Sequence, residues 1–213
     1  MAGFFLAVLG VVYAVLLAFL VVSVWQDYTD ARSTTEEEAN AVLDVYRLAD
    51  GLPDPVGNQI QTLARTYTAV AIEDEWPAMQ SGDLVSTQDA TLAALWPLVT
   101  HLDGNENVDV IQAAILDHLA DLSDHRRLRH LAANEGLPAM MWILLIGGGI
   151  VTVIFTYFFG TPNARAQYAM TALYTVAIAF VIALISLVVF PFRGDISIPP
   201  DAFEQALRAM SGP

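Results

Sequence analysis

Residues 3–25, GFFLAVLGVVYAVLLAFLVVSVW, contain no Asp, Glu, Lys, Arg or His. A helix of about 20 apolar residues crosses a hydrocarbon core of roughly 30 Å, so this stretch reads as a membrane span. Residues 139–160 and 168–192 are equally free of charge and read the same way. A secretory signal would show a basic start and a short apolar core. Met1-Ala2-Gly3 has no basic side chain and the apolar run reaches Trp25, so the first stretch is expected to stay as a span. Trp25 and Tyr28 fit the headgroup level, where amphipathic rings settle.

Residues 26–138 are the opposite kind of sequence, with 20 of the 23 acidic residues and six of the nine arginines. That segment is expected to fold in water. The net charge of −14 sits in it, which excludes nucleic acid as a natural partner. The chain lacks both Cys and Lys, so neither a disulfide frame nor a thiolate site is available. Orientation follows from arginines near the spans. Arg32, Arg126, Arg127, Arg129, Arg193 and Arg208 fall on one side and Arg165, in the hairpin 161–167, on the other. Six against one predicts a multi-pass protein of the cell membrane with the acidic segment and the C-terminus in the cytoplasm.

The expected fold is an all-α integral membrane protein: three transmembrane helices, with a four-helix soluble insert between the first and second. Its divisions are a span at 3–25, an acidic cytoplasmic domain at 26–138, spans at 139–160 and 168–192, and a cytoplasmic tail at 193–213. In the insert, Ala39, Val42, Leu43 and Tyr46 mark a helix over 36–47, ended by Gly51-Leu52-Pro53. Ile60, Leu63, Tyr67 and Val70 mark a second, running to Trp76-Pro77. A third begins near Ser86 or Thr87, with Asp89 in its first turn, and packs Leu92, Leu95 and Leu98 or Val99 before the turn Asp103-Gly104-Asn105. The fourth carries Ile111, Ile115, Leu119 and Leu122 and runs towards Pro138. Short turns give an antiparallel bundle, continuous with the spans at Tyr28 and Pro138. In the tail, Phe203, Ala206, Leu207 and Met210 share one face of a short helix, which is expected to dock on the insert or lie at the membrane surface.

Small residues at Gly3, Ala7, Gly10, Ala14 and Ala18 line one face of the first span, where close helix contact is the expected use. Gly148, Thr152 and Thr156, and then Thr171, Thr175, Ala179 and Ala183, repeat the pattern in the other spans, for helix packing or as the wall of a hydrated path. Gly147-Gly148-Gly149 lies deep in a span, far from any phosphate. Glu73-Asp74-Glu75 is a candidate for attracting or binding a hard cation, against the alternative of a solvated helix end. Arg126, Arg127 and Arg129 suit phospholipid headgroups or an acidic partner face. His118, Asp121 and His125 share a helix face, but Asp117, Asp121 and Asp124 already account for a wet helix, and no metal is assigned there. No cofactor motif, nucleophile elbow or Walker loop is present, and the spans hold no charged relay residue of the kind a pump needs. An enzyme is not expected.

Several segments in their order resemble the bacterial bestrophin-like membrane family: Gly3-Phe4-Phe5, Val12-Tyr13-Ala14 through Trp25, Glu75-Trp76-Pro77-Ala78-Met79 with Gly82, Arg126-Arg127-Leu128-Arg129, Leu137-Pro138, Thr156-Tyr157-Phe158-Phe159-Gly160 and Pro191-Phe192-Arg193-Gly194. Bestrophins are pentameric channels with a helical cytosolic part, an acidic Ca²⁺ clasp and an apolar neck, so the resemblance implies a helical homo-oligomer in the lipid bilayer that conducts inorganic ions. The other expectation, of a different class, is a non-conducting scaffold whose acidic domain binds a protein partner. Two departures stand out. Members commonly carry an Asp where this chain has Val189, so an ionic role for that acid does not carry over. The family pattern also has a further span ahead of Ala2-Gly3-Phe4, and an even span count would place the N-terminus inside.

Overall fold

The structure, a computed structural model, describes residues 2–83, 90–102, 106–158 and 163–212, with side chains from Ala7 onward. Every regular element among them is helical. The chain divides into two compact units, Met1–Tyr28 with Gly136–Phe190, and Thr29–Glu135 with Pro191–Pro213.

Helix α1, Ala2–Leu48, contributes to both units. No Gly or Pro occurs between Gly10 and Gly51, so nothing interrupts the i to i−4 ladder, and the expected run-through at Tyr28 is what is seen. The labels α2 to α8 follow in chain order: Val56–Val70, Trp76–Ser81, Ala90–Thr100, Glu106–Asn134, Ala139–Thr156, Ala164–Val188 and Asp201–Met210.

The apolar unit comprises the first part of α1 with α6 and α7. All three are helices long and apolar enough to cross a membrane. Tyr13, Leu17, Leu20 and Val24, at helical spacing on α1, are buried with Leu145 of α6 and with Ile178, Ile185 and Val188 of α7. The Tyr13 hydroxyl donates to the Leu145 carbonyl at 2.7 Å. Its ring lies across the glycine run of α6: a Cβ at Gly148 would sit 2.7 Å from Tyr13 Cε2, and one at Gly149 2.9 Å from the hydroxyl oxygen. The glycines are there for close packing. Asn163 caps α7 by accepting the Arg165 backbone N–H.

The expected continuity into the second span at Pro138 is not what is seen. Helix α5 ends at Asn134 and α6 starts at Ala139, with residues 135–138 non-helical. Pro138 offers no N–H and drives the residue before it out of the α region, so the helix must stop and restart.

The acidic unit contains the rest of α1, a 3₁₀ turn at Ala49–Gly51, helices α2 to α5, and α8. The second expected helix does not end at Trp76-Pro77. Instead α2 passes through a π-helical segment, Ala71–Glu75, in which the Trp76 N–H reaches back to the Ala71 carbonyl, and continues as α3 to Ser81. Pro77 is accommodated because it falls at the start of α3, where its missing N–H costs least. The tail helix α8 docks on this unit. Arg65 donates to the Met210 carbonyl, closing the C-terminal end of α8, and Trp76 Nε1 donates to the Ile198 carbonyl at 3.1 Å. The caps expected at Ser86 or Thr87, Asp89, and the turn Asp103-Gly104-Asn105 lie outside the described residues.

Candidate functional site

The buried stripe of α2, Ile60, Ala64, Tyr67 and Ala71, runs at helical spacing into the π segment. The wider π turn admits about one extra residue, so Glu75 and Trp76 both face inward. On α5 the stripe Ile115, Leu119 and Leu122 continues at the same spacing as Arg126, Arg129 and Ala133. On α1, Glu38 takes the place an apolar residue would fill between Thr35 and Val42. Three stripes of a packed core thus converge on charged side chains.

Glu38 and Arg129 are both 0% exposed. They meet as a bidentate pair, with Arg129 Nε to Glu38 Oε2 at 2.6 Å and Nη2 to Oε1 at 2.9 Å. The Tyr67 hydroxyl donates to the same Oε1 at 2.5 Å. Arg129 Nη2 also donates to Glu75 Oε2 at 2.6 Å, and Arg126 Nη2 donates to Glu75 Oε1 at 2.6 Å. His130 Nε2 stands 3.3 Å from Glu75 Oε2. The Arg129 guanidinium lies over the rings of both Trp76 and Phe203, at 5.7 and 5.5 Å from their centroids, so α8 closes the network from the tail side.

The electrostatics follow. Burial opposes ionisation of Glu75, but the hydrogen bonds from His130 and Arg129 and the charges of Arg129 and Arg126 outweigh it and hold this carboxyl well below the usual carboxylate range. Burial likewise works against the Arg129 cation, and Glu38 and then Glu75 raise its pKa above that of an ordinary guanidinium. Burial and the Glu38 carboxylate push the Tyr67 phenol well above its ordinary value. Two carboxylates, Glu38 and Glu75, face two guanidinium groups, Arg126 and Arg129. Every member is occupied by another, which makes the cluster a fastening device.

This arrangement changes the reading of the charged residues singled out above. Glu75 is interior and committed to Arg126 and Arg129, while Glu73 and Asp74 remain exposed on the π segment. Arg126 and Arg129 are interior; Arg127 alone of the three faces solvent, beside Asp124 at 3.3 Å. His125 sits 3.4 Å from Glu37 across α1 and α5. Among the described residues no group of three or more His, Cys, Asp or Glu is arranged to hold a metal ion. Glu38 and His130 were not among the sequence candidates, nor was Tyr67 in this role.

In the apolar unit, Thr152 donates to the Gly148 carbonyl within α6. Thr156 and Thr171 bring their hydroxyls to 3.3 Å between α6 and α7, and Thr175 donates back to the Thr171 carbonyl. Ala14, Ala18 and Ala179 are exposed, and a Cβ at Gly10 would meet nothing within 4 Å. Within one chain α1 therefore packs through the Tyr13 face rather than through its small-residue stripe.

These features define an all-helical membrane protein whose acidic unit is fastened by a buried ion network. Residues 1–203 match the model of the Bestrophin-like domain, and the chain belongs to that family. Two crystal structures of single-mutant forms of a bacterial bestrophin homologue from Klebsiella pneumoniae share the fold. Their TM-scores are 0.69 and 0.66, each at 14% identity and each covering 98% of this chain and 87% of the homologue. The comparison with curated proteins returned no match.

Proposed function

We propose that this protein assembles into a homo-oligomer in the cell membrane and that the assembly conducts inorganic ions, without enzymatic activity. The family supports this reading, and one structural observation carries it: in the apolar 18-residue stretch of each of the three membrane-length helices only 17–22% of the residues are buried within a single chain. The remaining surface is available to lipid and to neighbouring copies. The hydroxyls of Thr156, Thr171 and Thr175, and the Gly10, Ala14 and Ala18 stripe, are the features that subunit packing or a pore wall would use. In this reading the acidic unit is a water-soluble cytoplasmic domain, as the arginine distribution favours. Glu73 and Asp74, repeated around an oligomer axis, would draw cations to that side. Arg127 is the arginine left to contact headgroups or an acidic partner.

The mass of the detergent-solubilised particle, measured beside current recordings from the purified protein in planar bilayers, tests the reading. An oligomeric mass with unitary currents agrees with it. An oligomeric particle without currents favours a scaffold that binds a protein partner through its acidic unit.

A further inference from the structure

We infer that the Glu38–Arg129–Glu75 network is a register pin: it fixes the axial and rotational position of α1 against α5 and the π segment, where apolar packing alone would leave that position loosely defined.

The argument starts from the buried face of α1 in the acidic unit. Its fully buried apolar members are Ala31, Ala39, Ala41, Val42 and Val45, all short side chains, while the larger Leu43 and Tyr46 are half-buried beside them. A surface of alanines and valines is nearly smooth. Sliding it along a neighbour exchanges one small contact for another, and ridges that would lock into grooves are shallow. Thr35 adds no cross-helix restraint through its hydroxyl, which bonds back to the Ala31 carbonyl within α1. Glu38 is the long polar side chain at its fully buried centre; nearer the end of α1, Tyr46 is tied to α2, its hydroxyl accepting from Arg65 Nη2 at 2.6 Å and its carbonyl from Gln61 Nε2 at 3.3 Å. Glu38 is held by the bidentate fork of Arg129 from α5 and by the Tyr67 hydroxyl from α2, while the same guanidinium holds Glu75 of the π segment. A fork is satisfied in one geometry only. A one-residue step of α1, about 1.5 Å along and 100° around, would leave two buried carboxylates and a buried guanidinium mismatched. At the exposed edge Glu37 meets His125 at 3.4 Å, in a pair too open to water to hold a helix alone.

Stability alone does not explain the network. A buried ion cluster replaced by apolar residues of similar size is often no less stable, and fixing register is the best attested use of such groups. The register itself does not rest on the proposed function.

The test uses the full-length protein in detergent. The chain has no Cys, so Asn40→Cys on α1 and Asp121→Cys on α5 place spin labels at two exposed positions without background. The triple variant Glu38→Met, Arg129→Met, Tyr67→Phe removes one charge of each sign and leaves Glu75 with Arg126 and His130. The pin predicts one narrow interlabel distance in the parent. In the triple variant it predicts a distribution at least about twice as wide, or a second population displaced by roughly one turn, about 5 Å, with helicity by circular dichroism unchanged. A parent-like single distance in the folded triple variant overturns it. Where that variant does not fold, Glu38→Gln decides, since an amide cannot accept both arms of the fork: a broadened distribution supports the pin, and a parent-like one overturns it.

Discussion

Tyr13 of α1 and Gly148 of α6 are in direct contact, the ring lying where a Cβ on the glycine would have to be. The hydroxyl then reaches the Leu145 carbonyl, one turn earlier on α6, so one tyrosine serves as both packing body and hydrogen-bond donor. Gly148→Ala should therefore overpack the site and destabilise the apolar unit by about 1–3 kcal/mol. Gly147→Ala, where an added Cβ meets nothing within 4 Å, should be neutral or slightly stabilising. Thermal unfolding of the two variants in the same detergent distinguishes them. Equal melting temperatures would remove the role given to Tyr13.

Arg129 and Arg127 lie two residues apart and should behave oppositely. Arg129→Ala takes the cationic partner from buried Glu38, leaving it the Tyr67 hydroxyl, and one of the two guanidinium groups from Glu75, a loss of about 3–5 kcal/mol. Arg127→Ala removes one partner of an exposed pair with Asp124, and should cost at most about 1 kcal/mol. Denaturant or thermal melts of the acidic unit's helix signal check the contrast. It fails if the two substitutions cost the same.

Much of the fold was open to reading in the sequence, because charge-free runs and helical apolar spacing survive in any context. The three helices long and apolar enough to cross a membrane, α1 running on past Tyr28 and the helical segments of the acidic unit come from that signal. The break after Asn134 is legible too, since Gly136 and Pro138 are a stop and a restart for a helix. The ion network was harder. Glu38 follows Glu36 and Glu37, and Arg126 and Arg129 flank Arg127, so composition alone suggests solvated charge. The signal lies in phase: Glu38 falls on the stripe of Thr35 and Val42, and Arg126 and Arg129 on that of Leu119 and Leu122. The π segment left no comparable trace. Nothing in the run Ala71 to Glu75 announces an i+5 turn, and without it Glu75 and Trp76 would not both face inward.

Acid should weaken the acidic unit through Glu75. Its folded-state pKa lies below that of a free glutamate, about 4.3, so the unfolded chain binds the proton more readily. The stabilisation is fully present above that value and is lost progressively as pH falls below it. Melting temperature should decline below about pH 4, and more shallowly in Glu75→Gln. A parent and variant with parallel acid limbs would contradict this assignment.

Topology is tested by Ser81→Cys, an exposed position in the acidic unit of a chain without native Cys. The proposed cytoplasmic placement predicts no reaction with a membrane-impermeant thiol reagent in intact cells and ready reaction after permeabilisation. Labelling of intact cells would place the unit outside.

If Glu73 and Asp74 gather cations, the Glu73→Gln, Asp74→Asn variant should show a smaller cation preference. The difference should be larger at roughly 0.01 M salt, where the screening length is about 30 Å, than at 0.1 M, where it is about 10 Å. Reversal potentials under a salt gradient give the answer, and unchanged values at low salt would sink the role.

The most direct test of the account is current through the purified, oligomeric protein in a planar bilayer. Discrete unitary steps that scale with protein and are absent from protein-free membranes are the predicted result. A particle of oligomeric mass that is reconstituted, folded and electrically silent across a range of voltages and salts would contradict it.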